Sequence, residues 1–177
     1  MAIFFSLAGW ILLLVGIFGD RMADTEEELA KARANQKVIV IVGIVTQLFL
    51  CALQIVLVVA AFRGASSETT TLSVPLYKIV GIGMGILFVV IGNIMPKAKP
   101  NNLVGMRTPW SYSSEEAWAK SQRICGITFA AAGAVCIILS ILLEGFILFW
   151  VVMGCSIGAA IVACVLSYIA AKATGNL

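Results

Sequence analysis

The sequence predicts an all-α fold: a polytopic helical membrane protein of about five transmembrane helices, forming a single helical membrane domain over 1–177. Three observations predict it. Hydrophobic residues make up 61% of the chain and charged residues only 12%, about half the share of roughly a quarter that a soluble domain carries. Mean hydropathy is correspondingly high at +1.05. Apolar runs occupy 2–19, 38–62, 76–95, 125–143 and 146–171, each close to or above the ~18–20 residues with which a helix crosses ~30 Å of hydrocarbon. The runs lack period-2 alternation, which argues against a closed barrel, and lipid satisfies no other open backbone.

The first run has no basic residue before it and no small-residue cleavage site after it, so 2–19 reads as a retained helix, not a signal peptide. Between it and the second run, EEELAKARANQK reads as a helical extension of the second span. Thr25 with Glu28 fits a capping box, and Glu27 with Lys31 is a favourable i, i+4 pair. Asp24, Glu26, Glu27 and Glu28 place negative charge where the helix dipole favours it. Within the second span, Gln47, Cys51 and Gln54 share one face and form an intramembrane polar cluster. A glutamine facing lipid is costly, so this face is expected to meet other helices or a wet cavity. Interhelical hydrogen bonding and ligand lining both remain open.

Small residues at helical spacing mark close helix contacts: Gly81 with Gly85, Gly126 with Ala130 and Ala134, and Gly154 with Gly158. The third span ends near Asn93, and Pro96 and Pro100 stop helix propagation beyond it. The motif loop 96–124 follows. It opens with PKAKPNNLVGMRTPW, in which Gly105 supplies a flexible point before Arg107, Thr108, Pro109 and Trp110. A helix restarts in SYSSEEAWAKSQR, with Ser113 and Glu116 as its capping box and Glu116 with Lys120 as an i, i+4 pair. Trp110, Tyr112 and Trp118 are amphipathic rings suited to a membrane interface. The loop therefore reads as a compact polar cap, and its plainest alternative is an interfacial anchor.

Charge sets the orientation. Arg21, Lys31, Arg33, Lys37, Lys97, Lys99, Arg107, Lys120, Arg123 and Lys172 fall on one side, ten against Arg63 and Lys78 on the other. The positive-inside rule puts the N-terminus outside, and the two large loops and the C-terminus in the cytoplasm. The net charge of +3 is then ordinary membrane bias and calls for no nucleic-acid partner. Cys51, Cys125, Cys136, Cys155 and Cys164 form no C-x-x-C pair, and histidine is absent from the chain. Neither a metal centre, a cofactor nor a neutral-pH general base is indicated, and no enzyme is expected.

Residues 91–126, IGNIMPKAKPNNLVGMRTPWSYSSEEAWAKSQRICG, resemble the signature of the SdpI-type bacteriocin immunity family. That pattern is a span ending G-N-x-x-P-K, a spacer with Asn, then G-I-R-T-P-W, S-E-x-x-W and T-H-R. The matching functional positions are Asn93, Pro96, Lys97, Asn101, Gly105, Arg107, Thr108, Pro109, Trp110, Glu115, Trp118 and Arg123. Beyond 126 mainly the helix layout agrees. Gln122 stands where the family has histidine, Ser121 where it has threonine and Met106 where it has isoleucine. Family members often have six spans where five are counted here.

The resemblance implies an immunity and signalling protein of the bacterial inner membrane that gives resistance to a secreted toxin peptide. It implies a toxin-peptide partner and, in particular systems, a cytoplasmic repressor tethered at the membrane. A small transporter lined by Gln47 and Gln54 is the alternative, although no inverted repeat supports it. A membrane enzyme is a weaker one: Glu115 and Glu116 are adjacent, so they point about 100° apart on a helix and form no dyad.

Overall fold

The computed structural model describes residues 2–18, 21, 25–66, 76–101 and 104–173. Five helices account for most of them: α1 (Ala2–Phe18), α2 (Glu26–Ser66), α3 (Leu76–Ile94), α4 (Glu115–Leu142) and α5 (Ile147–Ala173). No strand occurs among the described residues. Among them, α2 to α5 are each long and apolar enough to cross a membrane. The first predicted span is a helix as expected, but its 17 residues reach only about 25 Å at 1.5 Å per residue. The stretch between the second and third apolar runs, 63–75, lies largely outside the described residues, and α2 continues to Ser66.

α2 is a single helix of 41 residues, about 60 Å long and twice a bilayer's hydrocarbon thickness. Its polar first turns therefore project beyond the apolar zone, as the charge pattern predicts. They begin where Thr25 Oγ1 accepts the Glu28 N–H at 3.3 Å. The Glu27–Lys31 pair closes at 2.6 Å on the exposed face. α4 likewise runs unbroken from the motif loop into its span over 28 residues. Its cap differs from the predicted one: Ser114 is the N-cap, accepting the Ala117 N–H at 3.0 Å. Ser113 instead donates to the Trp110 carbonyl at 2.8 Å, so the helix starts one residue later than the Ser113–Glu116 box implies.

The tightest packing joins α3 to α4, and glycine makes it possible. A Cβ on Gly92 would sit 2.6 Å from the Gly126 carbonyl and 2.7 Å from the Ala130 nitrogen. One on Gly85 would sit 2.7 Å from the Gly133 carbonyl. The backbones approach where side chains would hold them apart. Gly81, Gly126 and Ala130 thus act as their spacing predicts. Gly154 and Gly158 do not: an added Cβ at either meets nothing within 4 Å, and Ala134 is exposed.

α5 lies against α4 after a turn at Gly145, whose φ of +76° suits glycine. At that end of the bundle Lys78 pairs with Glu144 at 3.3 Å and reaches the open Ile141 carbonyl. α1 runs antiparallel to α2, with Gly16 against Val40 and Gly43 against Leu13. The resulting hairpin meets α3 through Phe49 against Gly83 and through one buried apolar cluster. That cluster combines Val38, Ile39 and Val42 with Ile94, Ala98 and Val104. It lies directly beneath the motif loop.

Candidate functional site

The motif loop is held by side chains, because its backbone forms no ladder of its own. α3 gives way at Ile94 to a 3₁₀ turn, Met95–Lys97, with Pro96 inside it. The Pro96 ring rests where a Cβ on Gly126 would be, 2.9 Å from its Cδ. The next backbone groups are then taken one by one. Trp118 Nε1 donates to the Ala98 carbonyl at 2.7 Å. The Lys99 N–H donates to Asn35 Oδ1 at 2.9 Å, and Asn101 Nδ2 donates to the Lys99 carbonyl at 2.7 Å. Asn101 Oδ1 accepts the Val104 N–H at 2.7 Å, while Tyr112 Oη donates to the Asn101 carbonyl at 2.7 Å.

The second half of the loop turns at Gly105, whose φ of +116° lies in the region that glycine tolerates. A fully buried Gln122 then grips Met106 from both sides. Its Oε1 accepts the Met106 N–H at 2.9 Å, and its Nε2 donates to the Met106 carbonyl at 3.0 Å. Buried Ser111 accepts the Thr108 N–H at 2.9 Å, and its hydroxyl lies within reach of the Met106 and Thr108 carbonyls. Trp110 Nε1 donates to Ser167 Oγ at 3.1 Å, and Ser167 donates to Ser121 Oγ at 2.7 Å. This relay ties the loop to both α4 and α5.

The predicted residues divide into holders and displayed groups. Asn101, Gly105, Trp110 and Trp118 hold the loop, as do Pro96 and its glycine seat. Trp118, expected at a membrane interface, is only 2% exposed and serves as the loop's core. Trp110 is half-buried and lies edge-on to the exposed Tyr168 at 5.3 Å. Lys97, Arg107, Pro109, Glu115 and Arg123 are exposed. Thr108 is half-buried, and its Oγ1 is a buried side-chain oxygen without a hydrogen-bond partner. Asn93 is exposed and donates to the Val89 carbonyl of its own helix at 3.0 Å, not to the loop.

Gln47 and Gln54 do not join this site. Gln47 lies 12 positions beyond Asn35 on α2, about 18 Å along the axis. It is buried, with Nε2 3.5 Å from Cys51 Sγ, as the shared face predicts. Sequence reasoning missed Asn35, Ser111 and Ser167, all buried to within 1%. The one available signal was asparagine in a helix interior, a poor helix former unless its amide is used.

A cleft of about 670 Å³ opens between the first turns of α2 and the loop. Ala30, Lys31 and Ala34 form one wall, and Lys99, Tyr112 and Glu115 the other. A smaller one of about 450 Å³ lies beside Lys97 and Glu116. Hydrogen bonding and charge from Lys31 hold the Glu27 carboxyl below its usual range, and Lys120 does the same to Glu116. Among the described residues, no cluster of three His, Cys, Asp or Glu could hold a metal ion. The arrangement offers fixed hydrogen-bonding groups and exposed charges, suited to recognition.

Comparison with known proteins points to the same segment of the chain. Residues 97–171 match the model of the SdpI/YfhL protein family, so the match covers the motif loop from Lys97 and extends through α4 and most of α5. It reaches well past 126, where the motif pattern alone fades. The chain is 36% identical over 62 residues to the "Immunity protein SdpI" of Bacillus subtilis (strain 168), covering 35% of this chain and 30% of that protein. The chain thus spans about a third of the length of the curated relative it matches. No solved structure matches it. It is thus the motif loop from Lys97 and the last two helices, residues 97–171, that are similar to the SdpI/YfhL protein family.

Proposed function

We propose that this multi-pass membrane protein is an immunity protein that gives its cell resistance to a secreted toxin peptide. The observation that carries the reading is that the family match begins at Lys97 and encloses the clamp formed by Gln122, Met106, Trp110 and Ser167. An organised loop displaying Arg107, Glu115 and Arg123 suits binding and signalling. The excess of ten Lys/Arg over two supports a cytoplasmic position for this loop. There it would be placed to tether a cytoplasmic repressor, whereas the toxin would meet the outer turns or the helix faces.

The test is survival. The chain is expressed in a toxin-sensitive strain that lacks its own immunity gene, and survival is scored against toxin dose. The parent is expected to protect. Arg107→Ala is expected to abolish protection at unchanged membrane abundance, because it removes a planar five-donor fork from the displayed face. Lys172→Ala, exposed at the C-terminal end of α5, is the control and should protect fully. Full protection by Arg107→Ala at equal expression would reduce the loop to a connector.

A further inference from the structure

We infer that the first turns of α2, outside the matched segment 97–171, belong to the functional site, and that Asn35 is the positioning residue that fixes them to the motif loop. The inference rests on the immunity reading for what the site does, but not for how it is built.

Asn35 is fully buried on α2 and uses its whole amide. Its Nδ2 donates to the Lys31 carbonyl at 2.9 Å, which fixes the orientation of the side chain. Its Oδ1 accepts the Lys99 N–H at 2.9 Å and Asn101 Nδ2 at 3.4 Å, across more than sixty residues of sequence. Asn101 in turn holds the Val104 N–H, so one side chain on α2 bears on Lys99 and Asn101 directly and on Val104 through Asn101. Trp118 grips the same stretch from the α4 side through the Ala98 carbonyl. The loop's first half is therefore suspended between two helices, only one of which lies wholly within the family match.

This bond fixes α2 in register at its polar end. Phe49 against Gly83 and the apolar cluster under the loop also join α2 to α3, and apolar contact is not directional. A turn of one residue about the α2 axis moves a side chain by about 100°, which carries Asn35 out of reach of Lys99. The two walls of the larger cleft, Ala30–Ala34 and Lys99–Tyr112, keep their separation through this bond. Removing the Asn35 oxygen should free the Lys99 and Val104 amides and leave the Met106 amide, held by Gln122, as it was.

Hydrogen exchange of the purified full-length protein, resolved by mass spectrometry, reads these amides directly. Asn35→Ala is expected to speed exchange at Lys99 and Val104 at least tenfold, leave Met106 within twofold, and reduce survival in the strain described above. Asn35→Asp keeps the acceptor for Lys99 but loses the donor to the Lys31 carbonyl, so it should slow exchange at Lys99 relative to Asn35→Ala without restoring the parent's rate. Unchanged exchange in Asn35→Ala would overturn the positioning role. Faster exchange with undiminished survival would overturn the inclusion of α2 in the site. If the parent chain itself fails to protect, the immunity reading falls, and the exchange result alone decides whether Asn35 positions the loop.

Discussion

A carboxamide at position 122 does what neither a hydrocarbon nor an ion can. Gln122 presents a donor and an acceptor side by side, and so takes both backbone groups of Met106 at once. Leucine there would leave the Met106 N–H without a partner, at about 1–3 kcal/mol, and its carbonyl with only the Ser111 hydroxyl. Gln122→Leu is therefore expected to lower stability by about 1–3 kcal/mol, read by thermal unfolding in detergent. An unchanged melting point would mean that Met106 is held by other means. Gln122→His, the residue of the family pattern, adds a pH dependence. Burial favours neutral imidazole, so its folded pKa lies below the unfolded value of about 6.5. Stability is then present above about pH 6.5 and lost as pH falls through the folded pKa, because the imidazolium no longer accepts the Met106 N–H. The melting point of this variant should fall between about pH 7 and about pH 5, whereas the parent, without any histidine, should lack that slope.

Among the helices, spacing identifies small-residue motifs without saying which ones meet a neighbour. Gly92→Leu should cost at least about 1–3 kcal/mol, because the new side chain meets backbone atoms of α4 that cannot yield. Gly158→Leu should stay within about 0.5 kcal/mol, since its Cβ enters open space. Comparable melting points for the two would contradict the α3–α4 crossing. The contrast also marks where sequence reading ends. Helix positions follow from apolar run length, and the α2 and α4 extensions follow from i, i+4 charge pairs and local caps, to within the one residue that separates Ser113 from Ser114. Pairing of faces is different, because it depends on rotation between helices far apart in the chain. For the same reason the loop motif was legible as a signature, while its anchors Asn35 and Ser167 were not. Each is a single polar residue whose partner lies over fifty positions away.

At the scale of the molecule, all the connections near the motif loop gather at one end and the Lys78–Glu144 pair marks the other. A reporter fused after Leu177 should be cytoplasmic and one inserted near Ser67 should be outside, following the ten-to-two distribution of Lys and Arg. Both on the same side would require a span to be miscounted, and the short α1 would be the first to re-examine. The bonds that close the loop have a consequence for its surroundings. Asn35, Asn101, Trp110, Ser111, Trp118 and Gln122 all engage their partners as neutral groups. Dissolved ions shorten the reach of exposed charges to about 8 Å at physiological ionic strength, but have little hold on bonds between neutral, buried groups. Added salt should therefore leave the loop's closure intact while weakening whatever its exposed lysines and arginines attract. A salt titration then separates the scaffold from its company: whatever changes was held from outside.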